Sequence, residues 1–214
     1  MNKRILFVGF AVALSWSAAV VFAQEQAPAP SFKDGDTWQF NISRKGQIAS
    51  STDQNDGMYE LSVAQGAVKL YDVNGGQKTE IPIQPEGPTQ ALLFLVGKSE
   101  QQPGLRFPLS VGQKWTYQYQ TRPAGLPRDQ RRSVEVNVAG MEQVTTLAGT
   151  FKAYKLIKSE SWSTTGPRGG TGGGSNTATY FYSPETRSIV KRSNVNDSNP
   201  GTVETELIKF TPGS

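Results

Sequence analysis

The stretch Phe107–Tyr119, FPLSVGQKWTYQY, constrains this chain more than any other. Gly112 is followed three positions later by Trp115, and then at alternate positions by Tyr117 and Tyr119. Successive side chains of a β-strand point to opposite faces, so this spacing sets three rings on one face. The phrase occurs earlier as Gly35-x-x-Trp38-x-Phe40-x-Ile42. Two glycine-led strands with the same alternation predict two similar β-units. Each should bury its indole and give the indole N–H a partner.

The remaining sequence fits that expectation. Met58 to Val63 alternates, Gln65-Gly66 reads as a turn, and Val68 to Val73 reads as the returning strand. Asn74-Gly75-Gly76 is a hairpin signal, and Pro82 marks the strand that follows it, Lys78 to Ile83, as an edge. Further on, Ser133 to Val138, Phe151 to Trp162, Thr177 to Tyr182, Ser188 to Ser193 and Val203 to Phe210 read as strands. Gly140-Met141-Glu142 and Ala148-Gly149 read as turns between them. On Phe151 to Trp162, Phe151, Ala153, Lys155 and Ile157 fall on one face, with Tyr154, Leu156 and Trp162 nearer the other. Tyr180 and Tyr182 share a side opposite Phe181. About a dozen short strands with regular turns imply an all-β chain, its antiparallel sheets forming a barrel-like or sandwich domain. The two units fall at about 32–102 and 103–214. The apolar run Ala91–Val96 fits strand or helix by length, and a short helix near 88–97 is expected.

The N-terminus carries a different signal. Lys3 and Arg4 precede an apolar run, and Val21-Phe22-Ala23 ends it before the polar Gln24. This is the pattern of a cleaved secretory signal over 1–23, with a mature start at Gln24. The competing reading is an uncleaved anchor helix. Residues 24–31, QEQAPAPS, read as a flexible spacer. The address is then periplasmic or secreted, with no stable membrane span after cleavage.

Composition narrows the chemistry. Without Lys3 and Arg4 the chain has 20 basic residues against its 18 acidic ones. Arg128, Arg131 and Arg132 cluster beside Pro127 and Asp129 as a solvated loop, too small a basic surface for nucleic acid. There is no cysteine and no histidine. Stability must therefore come from core burial without disulfides, and Ser-His-Asp, Cys-His and His-zinc machinery are excluded. No cofactor motif is present. Thr164–Asn176 is Gly-rich but lacks the Gly-Lys-Ser/Thr ending of a phosphate loop, and reads as a flexible hairpin tip. Asn194, Asn196, Asp197 and Asn199 match no calcium loop and read as turn formers, so no metal site is expected.

Carboxylates are the remaining acid/base candidates: Glu60, Glu135, Glu142, Glu160, Glu185, Glu204 and Glu206. In or beside strands, they read as outward-facing polar positions, with Glu142 set apart at a turn. No catalytic residue is assigned. The candidate ligand-binding residues are the aromatics Trp38, Trp115, Tyr117, Tyr119, Tyr180 and Tyr182, whose rings combine apolar bodies with polar tips. The alternative for them, with Trp162, is a core filled by rings.

The phrases FPLSVGQKWTY, GMEQVTTLAGTFKAYKL and YFYSPETRSIVKR resemble a family of exported bacterial β-rich proteins of unknown function. The resemblance covers roughly the last hundred residues and, weakly, the first unit, and implies an all-β periplasmic or secreted domain, with no catalytic residues to transfer. The expected function is a non-catalytic envelope protein. It would hold an apolar small molecule, or a segment of an envelope protein, on a concave aromatic-lined face. The alternatives are a carbohydrate-active hydrolase with a carboxylate pair about 5 to 10 Å apart, and an assembly protein pairing through a sheet edge.

Overall fold

The computed structural model describes residues 25–46, 56–83, 94–99, 101–122, 129–165, 171–196 and 201–214. The strands are β1 (Thr37–Gly46), β2 (Gly57–Ala64), β3 (Ala67–Asn74), β4 (Gln77–Ile81), β5 (Gly97–Ser99), β6 (Gln102–Pro103), β7 (Lys114–Thr121), β8 (Gln130–Thr146), β9 (Gly149–Thr165), β10 (Thr171–Ser183), β11 (Ser188–Asn196) and β12 (Gly201–Thr211). Ten of them form one open antiparallel sheet in the order β4-β3-β2-β1-β12-β11-β10-β9-β8-β7, and β5 and β6 form a separate two-stranded ribbon. The sheet is two meanders, β1–β4 and β7–β12, joined where β1 pairs with β12. The segment 88–93 of the expected helix lies outside the described residues. Phe94–Val96 is helical, and the chain then turns directly into β5.

The duplicated phrase is duplicated structure. Gly35 and Gly112 both have positive φ, 89° and 86°, a conformation open to glycine at little cost. In the first copy Gly35 N–H donates to Val63 C=O at 2.9 Å, and Val63 N–H donates to Asp36 C=O at 2.9 Å. In the second, Gly112 N–H donates to Val138 C=O at 2.8 Å, and Val138 N–H donates to Gln113 C=O at 2.9 Å. The side chain after each glycine accepts from the backbone three residues back: Lys33 N–H to Asp36 Oδ2 at 2.8 Å, and Ser110 N–H to Gln113 Oε1 at 3.2 Å. Each tryptophan then faces the neighbouring strand two residues before that valine, Trp38 opposite Leu61 and Trp115 opposite Val136.

The copies differ at their indoles. Trp38 is 3% exposed and its Nε1–H donates to Thr186 C=O at 2.8 Å, in the turn between β10 and β11. Trp115 is 4% exposed and its Nε1–H has no acceptor among the described residues. Only the first indole therefore meets the expectation of a bonded N–H.

Two apolar clusters hold the sheet. One contains Trp115, Val134, Val136, Val138, Tyr154, Leu156, Tyr180, Tyr182 and Ile189, covered by Ala27, Phe94, Leu95, Leu105 and Leu109. The other contains Trp38, Phe40, Ile42, Tyr59, Leu61, Leu70, Val203 and Leu207, together with Val144, Phe151 and Ala153 from the outer part of the β8–β9 hairpin. On β9, Phe151 and Ala153 alternate with Tyr154 and Leu156, so this strand is buried on both sides. The hairpin turn closes against β12, where Ala148 N–H donates to Leu207 C=O at 3.3 Å and Leu147 N–H donates to Glu206 Oε1 at 3.0 Å.

Several local readings change. Gly140 does not turn the chain: β8 runs through it with a bulge between Val138 and Gly140, and Glu142 is a strand residue opposite Ala153. Gly172, Gly173 and Gly174 are not a loose tip but lie in β10, paired with Thr164, Ser163 and Trp162. A Cβ on Gly173 would come within 2.6 Å of Trp162 C=O, so glycine there permits the close approach of two backbones. Asn194 and Asn196 sit in β11, paired across to Ala178 and Asn176, rather than in a loop. The spacer is docked: Ala27 exchanges backbone hydrogen bonds with Leu109, and Glu25 C=O accepts from Tyr154 OH at 3.0 Å.

Candidate functional site

The strand alternation itself builds the site. Trp115, Tyr117 and Tyr119 follow one another on one face of β7. Their partners on β8 are Val136, Val134 and Arg132, and the next partners on β9 are Lys158, Glu160 and Trp162. Toward the β9–β10 connection, the row that begins as Tyr154 and Leu156 thus changes from apolar to charged without leaving the face. Tyr154, Leu156 and Trp162 were assigned to this face from sequence, and the same parity places Lys158 and Glu160 between them. The expectation that Glu160 is an outward-facing polar position is overturned, because its row faces the core side of the sheet.

Glu160 is 5% exposed. Its Oε1 accepts from Tyr119 OH at 2.7 Å and from Arg132 Nη1 at 2.8 Å, and its Oε2 accepts from Lys158 Nζ at 2.8 Å. Arg132 Nη2 donates to Gln130 Oε1 at 2.7 Å, and the guanidinium lies 5.3 Å over the Trp162 ring. Arg132 is therefore a strand residue turned onto Glu160, not part of a solvated loop. Tyr117 and Tyr119 stack with their centroids 6.2 Å apart, and both are half-buried.

The electrostatics follow from these contacts. Burial alone would raise the Glu160 pKa, but the Lys158 charge and the hydrogen bonds from Arg132, Lys158 and Tyr119 override it and bring it down to about 2. Burial works against the Lys158 ammonium, while Tyr180, Glu160 and Tyr117 raise its pKa, and the net direction is upward. Tyr119 is pushed up by burial and then by Glu160, which holds its phenol protonated. Burial raises Tyr182 to about 12, with Arg187 pulling the other way.

The sequence candidates thus separate. Trp38 lies in the cluster of β1–β3, stacked with Phe210 and edge-on to Phe32. Trp115, Tyr180 and Tyr182 lie in the other cluster, with Phe94 against Tyr180 and Phe107 against Tyr182. Their rings are covered by the protein's own chain. Tyr117 and Tyr119 flank that cluster and line the charged patch with Trp162.

The other buried carboxylates are engaged elsewhere. Glu60 accepts from Gln39 Nε2 at 2.8 Å and Lys78 Nζ at 2.7 Å, and Asp36 accepts from Lys33 N–H, Gly213 N–H and the Arg187 guanidinium. Glu142 is exposed and lies 3.6 Å from Lys155. Among the described residues no group of three or more His, Cys, Asp or Glu is placed to hold a metal ion, and no helix is long and apolar enough to cross a membrane.

No family profile matches the chain, and no curated protein matches it. Solved structures do resemble it. One is a protein predicted to be exported, with a YmcC-like fold, from Bacteroides fragilis: 11% identity, TM-score 0.36, covering 86% of this chain and 99% of that one. Another is a predicted lipoprotein from Parabacteroides distasonis: 12% identity, TM-score 0.39, covering 88% and 100%. A third is the hypothetical lipoprotein YmcC from Escherichia coli: 13% identity, TM-score 0.40, covering 84% and 86%.

Proposed function

We propose that this is an exported, non-catalytic binding protein that takes its ligand at the aromatic and charged patch of β7–β9. Export rests on the signal pattern of residues 1–23. The observation that carries the binding reading is the half-buried set Tyr117, Tyr119 and Trp162 around the Glu160–Lys158–Arg132 network. These rings flank the packed clusters, at the end of the sheet formed by β7. Ring faces beside fixed polar groups suit a ligand that offers both an apolar surface and hydrogen-bonding groups. The hydrolase alternative lacks support here. A glycosidase acid needs a raised pKa beside a second carboxylate, and Glu160 is held ionised by two cations. The assembly alternative is favoured by one observation, since β7 is an eight-residue strand at the end of the sheet order.

The test is native mass spectrometry of mature protein purified from an exporting host. A bound small molecule that disappears in Tyr117→Ala and Tyr119→Ala is expected. Retention of that molecule in both variants would overturn the assignment of the patch.

A further inference from the structure

Building on that binding reading, we propose that the patch receives the acidic group of an organic anion, a carboxylate or phosphate, with Lys158 and Arg132 as the cationic donors and the attached ring or chain lying against Tyr117, Tyr119 and Trp162. The argument is a count of donors against acceptors. Glu160 is the carboxylate of the patch, and its two oxygens already accept three hydrogen bonds. Arg132 uses Nη1 on Glu160 and Nη2 on Gln130, and its buried Nε–H has no acceptor among the described residues. Lys158 has three N–H donors and spends one on Glu160 Oε2. Among the described residues the patch therefore has more donors than its bonded acceptors take up.

Charge points the same way. Lys158 and Arg132 outnumber Glu160 by one positive charge. A buried donor without an acceptor and a surplus of positive charge are both unfavourable. An acidic group relieves both at once, and a neutral hydroxylated ligand relieves neither charge nor the full donor surplus. Glu160 has a positioning role here: it fixes both cations before the ligand arrives, which lowers the ordering cost of binding.

The experiment uses the mature chain at low ionic strength and two acid probes, trigalacturonate for a carboxylate on a ring and decanoate for a carboxylate on a chain. Galactotriose and decanol are their neutral counterparts, and inorganic phosphate is the bare anion. Titration calorimetry should give at least one acid probe about tenfold tighter than its neutral counterpart, a difference that added salt reduces. The arm that binds identifies whether the acid comes from a saccharide, an amphiphile or a free ion. Lys158→Gln should remove the acid preference, and Lys158→Arg should restore most of it. Arg132→Lys keeps the charge without the planar fork and should weaken binding in between. Thermal melting of each variant separates loss of binding from loss of fold. If Lys158→Gln does not fold, the salt dependence and Arg132→Lys carry the test. Equal binding of acid and neutral probes, weakened by Tyr117→Ala, would refute the anion proposal and leave the patch as a binding site. Absence of binding by every acid probe would refute the proposal as well.

Discussion

Replacing Glu160 with Gln removes one charge at a position 5% exposed to solvent and changes little in shape. The folded-state pKa of this group is about 2, against an ordinary value of 4.5. At about 1.4 kcal/mol per pKa unit, a shift of that size corresponds to roughly 3 kcal/mol of stability at neutral pH. Because the folded pKa lies below the unfolded one, this contribution is full above about pH 5 and is lost as the pH falls through 4.5 toward 2. Glu160→Gln also leaves Arg132 and Lys158 facing each other without a counter-charge, and breaking a buried pair from one side costs about 3 to 5 kcal/mol. Urea unfolding at pH 7, followed by tryptophan fluorescence, should show a loss in that range. At pH 2 the wild-type carboxyl is itself about half protonated and little of its pH-linked contribution remains, so the gap between the two proteins should narrow to about 1 kcal/mol or less. A gap that stays constant from pH 7 to pH 2 would refute the argument, because the loss would then come from packing. A gap below about 0.5 kcal/mol at pH 7 would show that the network is solvated like a surface ion pair.

Trp38→Phe should destabilise more than Trp115→Phe by about 1 to 2 kcal/mol in the same assay. The first strands the buried Thr186 carbonyl, while the second removes an N–H that has no acceptor among the described residues. Gly173→Ala should lower the melting temperature, through a cost of about 1 to 3 kcal/mol for forcing β9 and β10 apart. Gly140→Ala, where a Cβ meets nothing within 4 Å, should melt close to wild type. Asp36→Ala should cost at least about 3 kcal/mol in chemical denaturation, since it orphans the Lys33 and Gly213 amides and the Arg187 guanidinium around a fully buried position. Intact mass of protein recovered from the periplasm or medium of an exporting host should begin at Gln24, and a full-length mass confined to the membrane fraction would contradict cleavage.

Local chemistry carried much of the architecture in the sequence. The Gly-x-x-Trp phrase determined its own structure twice, because a glycine able to take positive φ and an alternating apolar row are properties of neighbouring residues. Gln65-Gly66 and Gly75-Gly76 likewise form the tight turns expected of them, with positive φ at both central positions. The face assignments of Tyr154 and Leu156 against Phe151 and Ala153, and of Tyr180 and Tyr182 against Phe181, also follow from a period of two. What strand alternation could not supply is which residues from distant strands meet. It gave no sign that β1 pairs with β12 across more than 150 residues, or that the turn after β10 supplies the acceptor for Trp38. Gly140 and the glycines of β10 were misread because glycine marks turns, bulges and close approaches alike, and only the partner strand decides among them. The same limit hid the patch. Lys158 and Glu160 had the parity of an inward row, but a charge inside a sheet is tolerable only with partners. Arg132 and Tyr119 arrive from two other strands, so tertiary pairing decided that this carboxylate is buried while most others are not.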